Sequence, residues 1–260
     1  MSADMSANGS QPRAGAASLI SPLAAAGRAD EVVQRVSQAI QLGLFVDGEQ
    51  LPTEVEFAAQ LGVSAMTLRE ALAVLRQLGL VETRRGRTGG TFVRRPPSPP
   101  VGSLRERLRS LTATALRDLA DEQFAVSGAA AKLAAERAPA VSVRRLLGLS
   151  DQLEKASELG TPGLGARIRA DSRFHIEVAV ASQSERLTRL EVTLQTQLAE
   201  LLWLPHDPEL DAVEVACEHR SIATAIAAED GDLARTLAER HVEHNLRRLT
   251  LLRLAVVEAG

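Results

Sequence analysis

The sequence predicts a mainly α protein in two parts: a small N-terminal unit of short helices closed by a hairpin, and a larger C-terminal all-α helical bundle. Three observations carry this. Leu51–Val93 alternates capped helical segments with glycine turns and ends in two short strand-like runs. Pro96–Pro100 holds four prolines in five residues. Beyond it, apolar residues recur at helical spacing almost to the end. A length of 260 residues suits two domains of ordinary size. Alanine and leucine richness favours helix, and with aromatics at only 2% the core must be built from aliphatic side chains.

Residues 1–27 are rich in Ala, Ser, Gly and Pro. They lack a basic start followed by an apolar block, so they are expected to be a disordered tail rather than a signal peptide. Arg28–Leu44 is an amphipathic helix with Val32, Val36, Ala39 and Ile40 on one face. Thr53 and Glu56 make a capping box after Pro52, which starts a helix over Glu54–Leu61. Gly62 ends it in the left-handed conformation, and Ser64 caps the next helix. There Leu68, Ala71, Leu72, Leu75 and Leu78 share a face, and Gly79 ends the run. Val81–Arg84 and Thr91–Arg94 read as strands around Gly86, Gly89 and Gly90.

Helix, turn, helix and basic hairpin in this order describe a winged helix-turn-helix, which presents its second helix to the DNA major groove. A helical subdomain with no nucleic-acid role shares that outline, so charge placement decides. Residues 84–95 hold five arginines and no acidic residue, although residues 28–100 hold nine arginines against eight acids. The excess sits on the hairpin, as phosphate contact requires. The candidate DNA contacts are Ser64, Met66, Thr67 and Arg69 on the second helix, and Arg85, Gly86 and Arg87 on the wing. One winged helix buries too little DNA surface for high specificity, so a homodimer on a two-fold double-stranded operator is expected.

The proline run cannot continue a strand or enter a helix interior. It sets the expected boundaries: DNA-binding domain 28–95, stiff linker 96–102, helical domain 103–260. Helices are expected over Ser103–Arg137 (with a break near Ala120–Glu122), Ser142–Leu159, Leu164–Ser182, Ser184–Leu204, Glu209–Ala228 and Asp232–Val257. Net charge is −3, so DNA affinity must be local rather than general. The single cysteine excludes an internal disulfide and fits a reducing cytoplasm. Cys217 is expected as a small buried thiol. No apolar run reaches transmembrane length.

All five histidines lie in the helical half. Asp171 and His175, four apart, share a helix face. His219 lies on the next helix but one and His241 on the last. Three imidazoles and a carboxylate from three helices can converge on a divalent cation in a bundle core. Such a set suits zinc, nickel, manganese or iron without choosing among them. Spacing between helices does not itself bring them together. His244, three residues past His241, is an alternative, and His206 beside prolines is expected at the surface.

The run LPTEVEFAAQLGVS, then LREAL, then LGLVETRRGRTGGTFV, resembles the GntR superfamily of bacterial transcription regulators. Where that family usually carries arginines, this chain has Val55 and Ala65, and only Arg69 remains, so the bases read should differ. Beyond the linker, AAAKLAAERA, DSRFHIEVAVAS, HRSIATAIAAEDGDLA and AERHV resemble the FCD effector domain of the FadR subfamily. In metal-binding members the ligands are an Asp and a His four apart plus two later His. Carried over, these are Asp171, His175, His219 and His241. Such domains often carry an arginine on their first helix that holds an organic acid; Asp121-Glu122-Gln123-Phe124 has none here. Arg167, one turn before Asp171, either faces the effector pocket or ion-pairs with Asp171 on the helix surface.

These features make a ligand-responsive regulator the leading expectation, with a small carboxylate as effector. A metal-free sensor of a long acyl-coenzyme A is a second reading. A metalloenzyme fused to a DNA-binding domain is a third, with Glu177 and Glu218 as candidate general bases. No catalytic motif such as H-E-x-x-H appears, so no enzyme is expected.

Overall fold

The computed structural model describes residues 29–86, 89–95, 100–159, 163–205 and 212–258. The expected tail, Arg87, most of the proline spacer and His206 lie outside the described residues. The chain divides into two compact units, one within residues 1–96 and one within 97–260, with the short run 41–43 grouped with the second.

The first unit holds α1 (Ala29–Gln41), α2 (Glu54–Leu61), α3 (Ala65–Gln77), β1 (Val81–Arg84) and β2 (Gly90–Val93). Val32, Val36, Ala39 and Ile40 are fully buried, as their spacing requires. α1 stops before the expected Leu44, because Gly43 takes φ +70° and the Leu44 N–H returns to the Ala39 carbonyl. Thr53 and Glu56 form the full capping box, and Gly62 at φ 65° closes α2. The Ser64 hydroxyl accepts from the Thr67 N–H to start α3. Leu68, Ala71, Leu72 and Leu75 are buried. Leu78, expected with them, is 58% exposed. The helix ends at Gln77, Gly79 at φ +71° redirects the chain, and Leu80 fills the core instead, its N–H bonded to the Leu75 carbonyl. β1 and β2 pair antiparallel, Val81 opposite Val93. β2 starts at Gly90, one residue earlier than expected. Gln50 bridges to Phe92 on its other side.

The second unit is wholly helical among the described residues: α4 (Val101–Ser110), α5 (Ala113–Arg137), α6 (Ala140–Ser157), α7 (Leu164–Ala181), α8 (Glu185–Leu202), α9 (Ala212–Ala227) and α10 (Gly231–Glu258). α4 begins inside the stretch 96–102 expected as linker. The expected break near Ala120–Glu122 is absent, since neither Gly nor Pro interrupts the helix there. The break falls at Leu111–Thr112, where the Thr112 hydroxyl accepts from the Ala115 N–H and starts α5. Small residues let α5 and α10 pack along their lengths: Ala130, Ala131 and Ala134 on one, Ala234 and Ala238 on the other.

The bundle core is split in two. One apolar cluster gathers Leu108, Leu116, Ile168, Leu198, Trp203, Val215 and Leu249. The other gathers Ala131, Phe174, Val178, Ile222, Ile226 and Ala238. Between them five helices each bring buried polar side chains: Gln123 and Ser127 on α5, Asp171 and His175 on α7, Glu191 and Gln195 on α8, His219 on α9, His241 and Asn245 on α10. Buried polar groups cost stability unless they are paired, so a polar layer at mid-bundle points to a purpose other than packing.

Candidate metal centre and DNA-binding face

The four expected ligands meet in this layer. One donor atom each from Asp171, His175, His219 and His241 lies within 4.8 Å of every other. An ion bound at about 2.0–2.2 Å from each donor holds its donors no more than about 4.4 Å apart, so a few tenths of an ångström of closure suffice. The Asp171 Oδ1 is 3.5 Å from the His219 Nε2 and 3.8 Å from the His175 Nε2. The Nε2 atoms of His175 and His241 are 3.3 Å apart.

The residues fit a cation on independent grounds. Both ring nitrogens of His219 and the Asp171 Oδ2 are buried without a hydrogen-bond partner. Burial, reinforced by His241, holds His175 and His219 well below the usual imidazole range, which leaves them as neutral rings, the ligand form. Burial pushes the Asp171 carboxyl up to about 6 against the pull of His241 and Arg248. These neighbours do not offset its burial, and a bound cation would add the missing positive charge.

Neighbouring groups fix the rings. The Glu218 carboxylate bonds the His241 Nδ1 at 2.6 Å and the His244 Nδ1 at 2.5 Å. That leaves the His241 Nε2 turned to the centre, the carboxylate–histidine–metal arrangement of many metal sites. Burial pushes Glu218 up, but the hydrogen bonds and charges of His241 and His244 outweigh it and the net is lowered. Asn245 Nδ2 lies 3.0 Å from the His241 Nε2. The Phe174 ring stacks on His219, centroids 4.0 Å apart and planes 6° from parallel.

The four residues named from the sequence come together, and other roles were left incomplete. Glu218 was a candidate base; it positions His241 instead. Glu177 faces Arg145, 3.7 Å away, rather than the centre. Asn245 was missed, although its position four after His241 signals a shared face. His244 is off the centre, held by Glu218. Arg167 makes no ion pair with Asp171 among the described residues, because Asp171 is buried rather than on the surface. Its guanidinium lies 5.7 Å from the Trp203 ring centre. Cys217, expected buried, is exposed, since the buried face of α9 runs through Val215, Ala216, His219 and Ile222.

Beside the centre, Ser127, Phe174, His175, Glu191 and His241 line a cavity of about 10 Å³, measured as room for the centre of a water molecule; that is space for roughly one water. Burial raises Glu191, helped by the nearby Asp171 charge and opposed by hydrogen bonds from Gln195 and Ser127.

In the first unit the outer face of α3 is open. Met66 is 65% exposed, and Arg69 is held to Glu54 by a 2.7 Å contact between exposed groups. Such an exposed pair is weak. Val55, where the resemblance expected arginine, is also exposed. On the hairpin, Glu82 pairs with both Arg84 and Arg94. Arg85 is exposed and makes no ion pair among the described residues. Gly86 at φ +112° forms the turn.

Residues 28–93 match the model of bacterial regulatory proteins of the gntR family, and residues 118–244 match the FCD domain. The HTH-type transcriptional regulator RmpR of Mycobacterium gastri is 42% identical over 225 residues, 84% of this chain and 79% of that one. The chain belongs to the GntR family. An Escherichia coli protein named as the L-lactate dehydrogenase operon regulatory protein is 30% identical, covering 82% of this chain and 83% of its own. The E. coli McbR/YncC structure shares the fold, with a TM-score of 0.50 at 18% identity over 86% of this chain and 97% of that one. This GntR-family protein is therefore a DNA-binding transcription regulator with an FCD effector domain, not an enzyme, and its buried aspartate and histidines are compatible with metal binding. Among the described residues no helix is long and apolar enough to cross a membrane.

Proposed function

We propose that this regulator binds one divalent cation through Asp171, His175, His219 and His241, and that a small organic acid then alters its affinity for a DNA operator. The observation that carries the reading is the convergence of four buried donor residues from three helices; two of these residues, Asp171 and His219, have polar atoms without protein partners. A bound cation supplies positive charge and one or two open positions for a carboxylate. The chain's own residues do the rest. Glu218 holds the His241 ring, Phe174 holds the His219 ring, and the apolar clusters on either side exclude water. Ser64, Met66, Thr67 and Arg69 meet the bases and adjacent phosphates, with Arg85, Gly86 and Arg87 on the backbone. The protein acts in the cytoplasm as a homodimer on a two-fold site, its DNA-binding domain at 28–95 and its effector and dimerisation domain at 103–260, joined by the linker 96–102.

A ligand switches the equilibrium only if it binds one pose better than the other. A long acyl-coenzyme A would not need four converging metal donors, which favours the metal–acid reading. The test uses protein purified without a histidine tag. Elemental analysis should find about one divalent ion per chain in wild type and little in a His175→Ala, His219→Ala double variant. Full occupancy in the double variant refutes the metal assignment. Gel-shift titration at fixed salt, with and without organic acids, tests the switch.

A further inference from the structure

α6 and α7 pack against each other and flank an open cleft of about 280 Å³, measured as room for the centre of a water molecule. Both helices line it at the same spacing. Gln152, Lys155 and Leu159 share a face of α6 and the turn after it, and Ala166, Arg169 and Arg173 share a face of α7. The short side chains of Ala156 and Ala170 leave the space between them open. At about 100° per residue, Arg169 and Arg173 fall on the opposite side of α7 from Asp171 and His175, so the cleft is not the metal centre.

Three cationic side chains line this cleft, and no carboxylate does. The acids nearest in sequence are engaged elsewhere. Asp151 and Glu154 both pair with Arg220, and Glu177, one turn after Arg173, faces Arg145. Glu158 is exposed at the end of α6 and does not line the cleft. Lys155 and Arg169 make no ion pair among the described residues, although Arg169 is half-buried. In a chain of net charge −3, this is a local positive excess gathered around a hollow.

We propose that the α6–α7 cleft binds a small phosphate-bearing molecule, with Lys155, Arg169 and Arg173 on the phosphate and Gln152 and Leu159 beside the group it is attached to. A phosphate group carries close to two negative charges near neutral pH and three acceptor oxygens, so it meets all three cations at once. A carboxylate offers one charge and two oxygens. Guanidinium forks match phosphate oxygens in pairs. The cleft has room for on the order of twenty waters, more than a free phosphate fills, which favours an ester. This site stands independently of the metal–acid reading.

The test is calorimetric titration of the full-length protein, at fixed ionic strength, with glycerol 3-phosphate, inorganic phosphate and acetate. The ester should bind saturably, one per chain, and acetate should not. Tighter binding of inorganic phosphate than of the ester makes the free anion the ligand of the same site. Arg169→Gln and Lys155→Gln should each weaken binding by about ten-fold, the loss of one charge-assisted hydrogen bond. Lys155 is exposed, so its replacement leaves the fold intact. Arg144→Gln, on an exposed arginine of α6 outside the cleft, should leave affinity unchanged, as should removal of metal by a chelator. No saturable binding of either phosphate compound, wild-type affinity in Lys155→Gln, an equal loss in Arg144→Gln, or loss of binding together with the metal overturns the proposal.

Discussion

Replacing Asp171 by asparagine should make the metal-free protein more stable and the metal-loaded protein less so. The carboxyl is fully buried and pushed from 3.8 to about 6. Below pH 3.8 it is protonated folded and unfolded alike, and above about 6 it is ionised in both. Between these values the folded chain holds a proton that the unfolded chain has lost. The contribution of Asp171 therefore declines as pH rises through this window, by about 3 kcal/mol at 1.36 kcal/mol per pH unit. At pH 7.5 in chelator, Asp171→Asn removes that cost, so its helical domain should unfold at higher denaturant than wild type. His175 and His219 titrate in both proteins, so their effects largely cancel in the comparison. With zinc present the order should reverse, because binding at a hundred-fold excess over Kd adds about 2.7 kcal/mol to the protein that retains the site. Trp203, the only tryptophan in the chain and buried in the helical unit, reports this unfolding by fluorescence. An Asn variant less stable than wild type in chelator, or one that gains as much from zinc, would refute the reasoning.

Three further outcomes follow from the same contacts. Glu218→Gln should weaken zinc binding by roughly 10–100-fold, because it removes the carboxylate that orients His241; a competition titration with a chromogenic chelator reads this. Arg69→Ala should cost about 1–3 kcal/mol on the natural operator if the arginine reads a base, whereas Arg85→Ala should weaken all sequences evenly and reduce the salt slope by about 1, as fluorescence anisotropy across salt concentrations distinguishes. Leu75→Ala should cost about 2–5 kcal/mol in the N-terminal unit, since the side chain is fully buried behind α3; circular dichroism melting checks it, with metal content unchanged.

What the sequence made legible, and what it did not, follows the range of the signals. Thr53 with Glu56, Gly62, and the run Leu68–Leu75 are local: each concerns residues within a turn or two, where spacing determines geometry. The same holds for Asp171 with His175. Leu78 and Cys217 were misplaced because each lies just off a buried face, where a turn or a one-residue rotation reverses exposure. Glu82, just before the arginine run in sequence, pairs with Arg84 on its own strand and with Arg94 across the hairpin, and the second of these pairs is not legible from sequence. The meeting of His219 and His241 with α7 is long-range, and spacing alone left it open; family resemblance suggested it.

Glu191 shows why the rest of the layer was hidden. On α8 it is one of three acids, in a helix that also carries exposed Arg189 and Glu185, and no motif marks it. Its character comes from α5, which brings Ser127 to it across the bundle, and from the nearby Asp171. A sequence pattern can show that Gln123 and Ser127 share a face, and that Glu191 and Gln195 do. It cannot show that the two faces meet with an amide donor, the Gln123 Nε2, and an amide acceptor, the Gln195 Oε1, left unmatched. That mismatch bears on how the domain works. An apolar layer here would hold the bundle together without any ligand, whereas a polar one depends on what completes it. A cation bound to groups on α7, α9 and α10 would stabilise the arrangement in which these helices meet. Under the proposed function, ligand occupancy would then bias which arrangement of the helical domain is populated.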